Sequence, residues 1–113
     1  MTAIDEVAAE RIRQISIEGY DAAHDDEHDK GEIALAAALY ATPIRLYEHR
    51  QRATGEMFMD PWPWEQEFDR RPYVGNMVQA NSIMKPPDRR RQLVKAAALI
   101  VAEIERLDRA NGN

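Results

Sequence analysis

The sequence predicts an all-α protein, a small helical bundle with a long C-terminal central helix and an irregular segment rich in proline and tryptophan. Three observations carry that reading. Apolar residues recur at helical spacing over Asp88 to Ala110, over Thr2 to Gly19 and over Glu32 to Ala41. No stretch alternates apolar and polar residues in the manner of a half-buried strand, and no internal repeat is present. Five of the six prolines and both tryptophans fall within residues 56 to 87, which leaves room there only for short helices.

The first helix starts on Thr2, a residue able to cap it, places Ile4, Val7, Ala8, Ile12 and Ile15 on one face, and ends near Gly19. Its other face carries Glu6, Glu10, Arg11, Arg13 and Glu18 and reads as a solvated charged surface. Residues 20 to 31, YDAAHDDEHDKG, are too polar for a core and read as a loop, with Asp26 or Asp29 free to cap the next helix. Glu32 to Ala41 is a strong helix former whose alanines permit close packing. Thr42-Pro43 breaks it and can start a third segment through Ile44 and Tyr47 that closes near Gly55. In the irregular half, Asp60-Pro61 suits one capped turn and Trp64 to Arg70 two turns, while Val74 to Ile83 fits helix or loop.

The last helix organises the rest. Leu93, Ala97, Ile100, Ile104 and Leu107 recur at steps of four, three, four and three, and Val94, Ala98 and Val101 widen this apolar face, the pattern of a core-facing helix. From Ala96 to Ala102 there is no polar side chain, so the helix is expected to be surrounded by protein, either as the centre of the bundle or as half of a homo-oligomer interface.

A chain of 113 residues fits one domain, residues 1 to 113, with an ordinary core. It holds no cysteine, which excludes disulfides, thiolate zinc sites and a cysteine nucleophile. The start carries acids and arginines where a secretory leader has an apolar run, and no segment has membrane-spanning length, so the expected location is the cytoplasm with no membrane partner. A formal charge of −5 argues against nonspecific nucleic-acid binding.

Three clusters carry chemistry. In the acidic loop, His24 and His28 stand four apart, as do Asp21 and Asp25, Asp25 and Asp29, and His28 and Glu32. Together with Glu18 and Asp26 these residues are candidate ligands for magnesium or manganese, the histidines admitting zinc or nickel; the alternative is a solvated loop. Arg89, Arg90, Arg91 and Lys95 crowd the first turns of the last helix, where free amide N–H groups and guanidinium forks suit a phosphate. Equally, those arginines could clamp Asp21, Asp25 or Asp26. Trp62 and Trp64, stiffened by Pro61 and Pro63, could stack on a nucleobase or cover the core. Arg45 and Tyr47 complete the candidate ligand-binding set. No serine or threonine stands in a nucleophile motif, and there is no phosphate-cradling glycine loop.

The strings ERIRQISIEGYDAAHDDEHDKGEIALAAALYA, PWPWE and DRRRQLVKAAALIVAEIERLDRA resemble a group of small phage and prophage proteins over nearly the whole chain. That resemblance implies a viral or prophage origin and a helical fold. Small phage proteins often counter host defence, by sequestering or destroying nucleotide signals or by binding a host protein. A looser likeness is to the MazG-like all-α nucleotide pyrophosphohydrolases, which hold magnesium on ExxE and ExxD motifs. Glu18 and Asp21 match the ExxD spacing, whereas Glu6 and Glu10 stand four apart.

The functional expectation is a protein that binds and sequesters a nucleotide-derived signal, with Arg89, Arg90 and Lys95 on phosphate and Trp62 or Trp64 against the base. Alternatives are a magnesium-dependent pyrophosphohydrolase using Glu18, Asp21, Asp25 and Asp26, and a module that binds a host protein.

Overall fold

A computed structural model of the chain describes residues 1–43, 46–71 and 86–112, without the side chains of Pro86 and Pro87. The described residues are mostly helical, with four α-helices and one small antiparallel sheet. None of these helices is long and apolar enough to cross a membrane.

α1 spans Ala3–Ser16 and begins in a capping box: the Thr2 hydroxyl accepts from the Asp5 N–H while the Asp5 carboxylate accepts from the Thr2 N–H, both at 3.1 Å. After it, Gly19 at φ +79° lets the chain reverse so that the Tyr20 N–H reaches the Gln14 carbonyl at 2.9 Å. The turn is what aims the following residues back across the bundle. Within the stretch expected to be a loop, α2 spans Ala22–Asp26 and is capped by Asp21, whose carboxylate accepts from the His24 N–H at 2.9 Å. α3, Glu32–Ala41, has the predicted bounds, but its cap position is Gly31 in the left-handed region, not Asp26 or Asp29.

The described residues of the third segment are not helical. Glu48–Arg52 and Gly55–Met59 form strands β1 and β2, paired from Glu48 opposite Met59 to Arg52 opposite Gly55. Every residue of both strands is exposed, so the period of two that burial would have written into the sequence is missing, and β1 reads as EHRQR. The His49 and Phe58 rings, 5.1 Å apart, make one cross-strand contact. Of the two turns expected at Trp64 to Arg70, only a short 3-10 helix at Gln66–Phe68 forms. Ile44, Arg45 and the ambiguous stretch Val74 to Ile83 lie outside the described residues.

α4 spans Pro86–Ala110 and is the centre of the fold, touching α1, α2 and α3. The core lies between α3 and α4, built from Ile33, Ala36, Ala37 and Tyr40 against Ala96, Leu99 and Ala102, with Tyr20, Trp62 and Trp64 packed on its edge. Alanines on both helices let the backbones approach closely, which is why a short α3 suffices.

Two sequence expectations invert. The apolar face of α1 points outward, leaving Ile4, Ala8, Ile12 and Ile15 exposed, whereas Glu10 and Arg11 from its supposedly solvated face are buried, together with Gln14. Likewise Leu93, Ile100, Ile104 and Leu107 of the α4 stripe are exposed, as is Val101, while Val94 and Ala98 of the expected face are buried together with Leu99 and Ala102. The reason is that α1 and α4 meet through ion pairs: Arg90 binds Glu6, and Arg91 reaches Glu10 at 2.5 Å. Once charged faces pair with each other, the aliphatic faces are left pointing away.

Candidate functional site

The interior charges are the frame of the site. Asp25 and Glu10 are each only 2% exposed. Arg11 reaches Asp25 at 2.9 Å, donates to the Tyr20 carbonyl at 2.9 Å and to Glu105 of α4 at 3.2 Å, so one guanidinium ties α1, the turn after it, α2 and α4 together. The other Asp25 oxygen lies 2.9 Å from His24 Nδ1. His28 Nδ1 in turn lies 3.0 Å from Glu32 and 3.3 Å from the indole N–H of Trp64. Each imidazole is therefore anchored through Nδ1, with Nε2 free of partners among the described residues.

These anchored rings form the wall of a cleft. Tyr20 stacks on His24 at 4.8 Å and 18°, His24 meets His28 at 4.7 Å, and Trp64 closes the row 5.3 Å from His28. Glu18, Pro63, Glu65 and Phe68 complete a cleft of about 640 Å3, within the range of about 300–1,000 Å3 common for small-molecule sites. A second crevice of about 20 Å3 shares Glu18, Tyr20 and Trp64 with the cleft and is also lined by Arg13, Tyr40, Trp62, Arg70 and Lys95, space for one water molecule.

The two tryptophans have different duties. Trp62 is edge-on to Tyr40 at 5.7 Å and to Trp64 at 5.6 Å, its indole N–H donates to the Glu65 carbonyl, and Arg71 lies over its ring at 4.9 Å. Arg71 also holds Asp60 at 2.9 Å and Asp69 at 2.7 Å, and burial, which would lower its pKa, is outweighed by those carboxylates so that it is raised. Trp62 is thus a support, and Trp64 is the indole that faces the cleft.

Protonation follows the same geometry. Burial pushes Tyr20 up and takes Tyr40 to about 12, while the Tyr40 hydroxyl accepts from the Arg70 N–H at 3.0 Å. Burial, reinforced by Arg91, lowers Lys95, which has no carboxylate partner among the described residues and lies 5.8 Å from the Tyr40 ring. For Glu10, burial would raise the pKa, but hydrogen bonds from Arg13 and Arg91 outweigh it and hold the carboxyl below its ordinary value. A carboxylate depressed in the folded state adds stability that is complete above its unfolded pKa of about 4.3 and is lost as pH falls through the folded value. Glu10→Gln is therefore expected to flatten the loss of urea stability below about pH 4 relative to the native protein. Parallel acid curves for the two would show that Glu10 does not carry that linkage.

Of the sequence-predicted ligand residues, Trp62, Trp64 and Lys95 come together at the crevice. Arg89 and Arg90 do not: Arg90 is bound to Glu6, and Arg89 holds a buried Nη1 without a hydrogen-bond partner among the described residues. The clamp imagined on Asp21, Asp25 or Asp26 is made instead on Glu6 and Glu10. Tyr47 is half-buried just before the hairpin, and Arg45 lies outside the described residues. The candidate magnesium or manganese ligands do not converge, and among the described residues no three His, Asp or Glu side chains form a metal-holding group. Asp25 is turned inward to Arg11, Asp26 pairs with Arg109 at 2.8 Å, Asp21 is spent as a helix cap, and Glu18 pairs with Arg13 at 3.1 Å. The helix on which fourfold spacing was to align them is only five residues long.

Tyr20, Phe68 and Arg11 escaped the sequence reading. Arg11 left one trace, the polar residues Glu10, Arg11 and Gln14 at helical spacing along α1. No protein-family model matches the chain, and no curated protein or solved structure is significantly similar to it.

Proposed function

We propose that this chain binds a nucleotide or nucleotide-derived signal in the cleft between α2 and the Trp62–Phe68 segment, and acts by sequestering it. The observation that supports the reading is the row Tyr20, His24, His28 and Trp64 along one wall of a cleft about 640 Å3 in volume. Planar side chains there offer π-faces to a base, Glu18 and Glu65 can accept from exocyclic amino groups, and the free Nε2 atoms can donate to a phosphate when protonated. Lys95 and Arg70 line the adjoining crevice, and neither has a carboxylate partner among the described residues. The resemblance to small phage proteins suits such a role, a counter to host defence exercised in the cytoplasm of the infected cell.

One observation favours a second reading, hydrolysis of the bound nucleotide. His24 is oriented by a buried carboxylate that is itself held by an arginine, the support a general base requires. A host-protein-binding module is the remaining alternative.

The purified protein is incubated with linear and cyclic nucleotides plus magnesium, separated from free ligand, denatured, and both fractions are chromatographed. Intact nucleotide released only on denaturation is the expected result. Altered nucleotide shifts the assignment to hydrolysis, and no retention with no turnover overturns the nucleotide reading.

A further inference from the structure

Two groups in the wall of the cleft compete for a single atom. His28 Nδ1 lies 3.0 Å from the Glu32 carboxylate and 3.3 Å from the indole N–H of Trp64. An indole N–H only donates and an ionised carboxylate only accepts, so Nδ1 must carry a proton to bond Glu32 and must lack one to bond Trp64. Glu32 is ionised wherever an imidazole titrates: burial would raise its pKa, but hydrogen bonds from His28 and from backbone N–H groups outweigh it and hold the carboxyl below its ordinary value. The two bonds therefore exclude each other. His24 has no such conflict, because Asp25 is the one hydrogen-bond partner of its Nδ1 among the described residues.

The neutral ring favours Trp64. Glu32 keeps the Lys30 N–H at 2.6 Å whether or not His28 donates, whereas the half-buried indole has no other acceptor among the described residues. A part-buried N–H left without a partner costs more than a carboxylate that loses one of several donors, so neutral His28 leaves Nδ1 bare and carries its proton on Nε2. An imidazolium has no bare nitrogen. Protonation puts a hydrogen on Nδ1, completes an ion pair with Glu32, and sets two N–H groups against each other where Trp64 was bonded.

We infer that His28 is a proton-operated latch on Trp64: neutral, it fixes the indole in the cleft wall, and charged, it lets the indole go and turns to Glu32. The titratable groups that face it are Glu32 of α3, His24 of α2 with Asp25 behind it, and Glu18, Tyr20 and Glu65 along the cleft lining. Of these residue types only histidine changes charge between about pH 5 and 8. Resting on the nucleotide reading, the latch also couples to the ligand, since a phosphate that accepts from Nε2 favours the imidazolium and so frees Trp64 to settle on the base.

The test needs no ligand. The 15N-labelled protein is titrated from about pH 8 to about pH 5 by nuclear magnetic resonance, with the Trp64 indole N–H identified as the resonance lost in Trp64→Phe and both histidine rings followed through their carbon-bound protons. The Trp64 resonance is expected to move upfield, toward the position of an unbonded indole, with the midpoint of the His28 ring. His28→Gln is expected to abolish that step and His24→Gln to keep it. A Trp64 resonance that stays in place while His28 titrates in the native protein overturns the proposal, as does a step that survives in His28→Gln. Since no nucleotide is present, either result leaves the assignment of the cleft as it was, and a protein that retains no nucleotide overturns that assignment while the step at Trp64 stands.

Discussion

Arg11→Ala is expected to lower the melting temperature by more than 10 °C, on the basis that breaking a buried ion pair costs about 3–5 kcal/mol in a domain of this size. Asp25 is 2% exposed and takes its only guanidinium contact among the described residues from Arg11. Without it a carboxylate is left in the interior with one imidazole for company. The same change also frees the Tyr20 carbonyl and the Glu105 carboxylate, though Glu105 is exposed and adds little. The double variant Arg11→Met, Asp25→Leu should recover much of the loss, because the penalty lies in the uncompensated charge more than in the absent pair. Thermal denaturation of native, single and double variants decides this. Equal melting temperatures for the native protein and Arg11→Ala would mean that the pair is not sealed from water. Ligand binding offers a second readout, since Asp25 also fixes His24: the stable double variant should bind more weakly than the native protein, its melting temperature notwithstanding.

Trp64→Ala is expected to weaken retention of the captured nucleotide by about 5- to 150-fold, corresponding to the ~1–3 kcal/mol that stacking a base on an aromatic side chain contributes. Trp62→Ala should act differently. Its indole is engaged by Tyr40, Trp64, Arg71 and the Glu65 carbonyl, so its removal should appear first as lost thermal stability. Equilibrium dialysis and melting curves on the two variants separate a contact residue from a support. If Trp64→Ala binds the nucleotide as the native protein does, the base is not on that ring and the assignment of the cleft fails.

α1, α3 and α4 were legible because their signals are local. Thr2 and Asp5 announce the start of α1 through chemistry confined to one turn, and the alanine-rich run of α3 is helical by propensity before it touches anything. The long α4 is legible for the same reason. The hairpin was not, because strands with every side chain in solvent carry no burial period, and β1 holds no apolar residue at all.

At the candidate site, composition singled out the right neighbourhoods and mistook their purpose. The spacing of His24 and His28 pointed to a metal, yet the neighbouring carboxylates serve as caps and ion-pair partners, and what remains is a pair of oriented imidazoles beside an indole. Trp64 became recognisable as a cleft residue only once Tyr20 and His24 were known to stand in the same row of rings.

By itself the sequence determined where α1, α3 and α4 lie, what caps α1, and that α4 is the element on which the others pack, but not α2, which falls in a stretch read as loop. Which face of α1 and α4 looks inward was decided by tertiary structure alone. Aliphatic periodicity states that a face will be covered but not by what. Here Arg11, Arg90 and Arg91 met Asp25, Glu6 and Glu10 across a gap of many residues, and that pairing turned the charged faces in and the aliphatic stripes out.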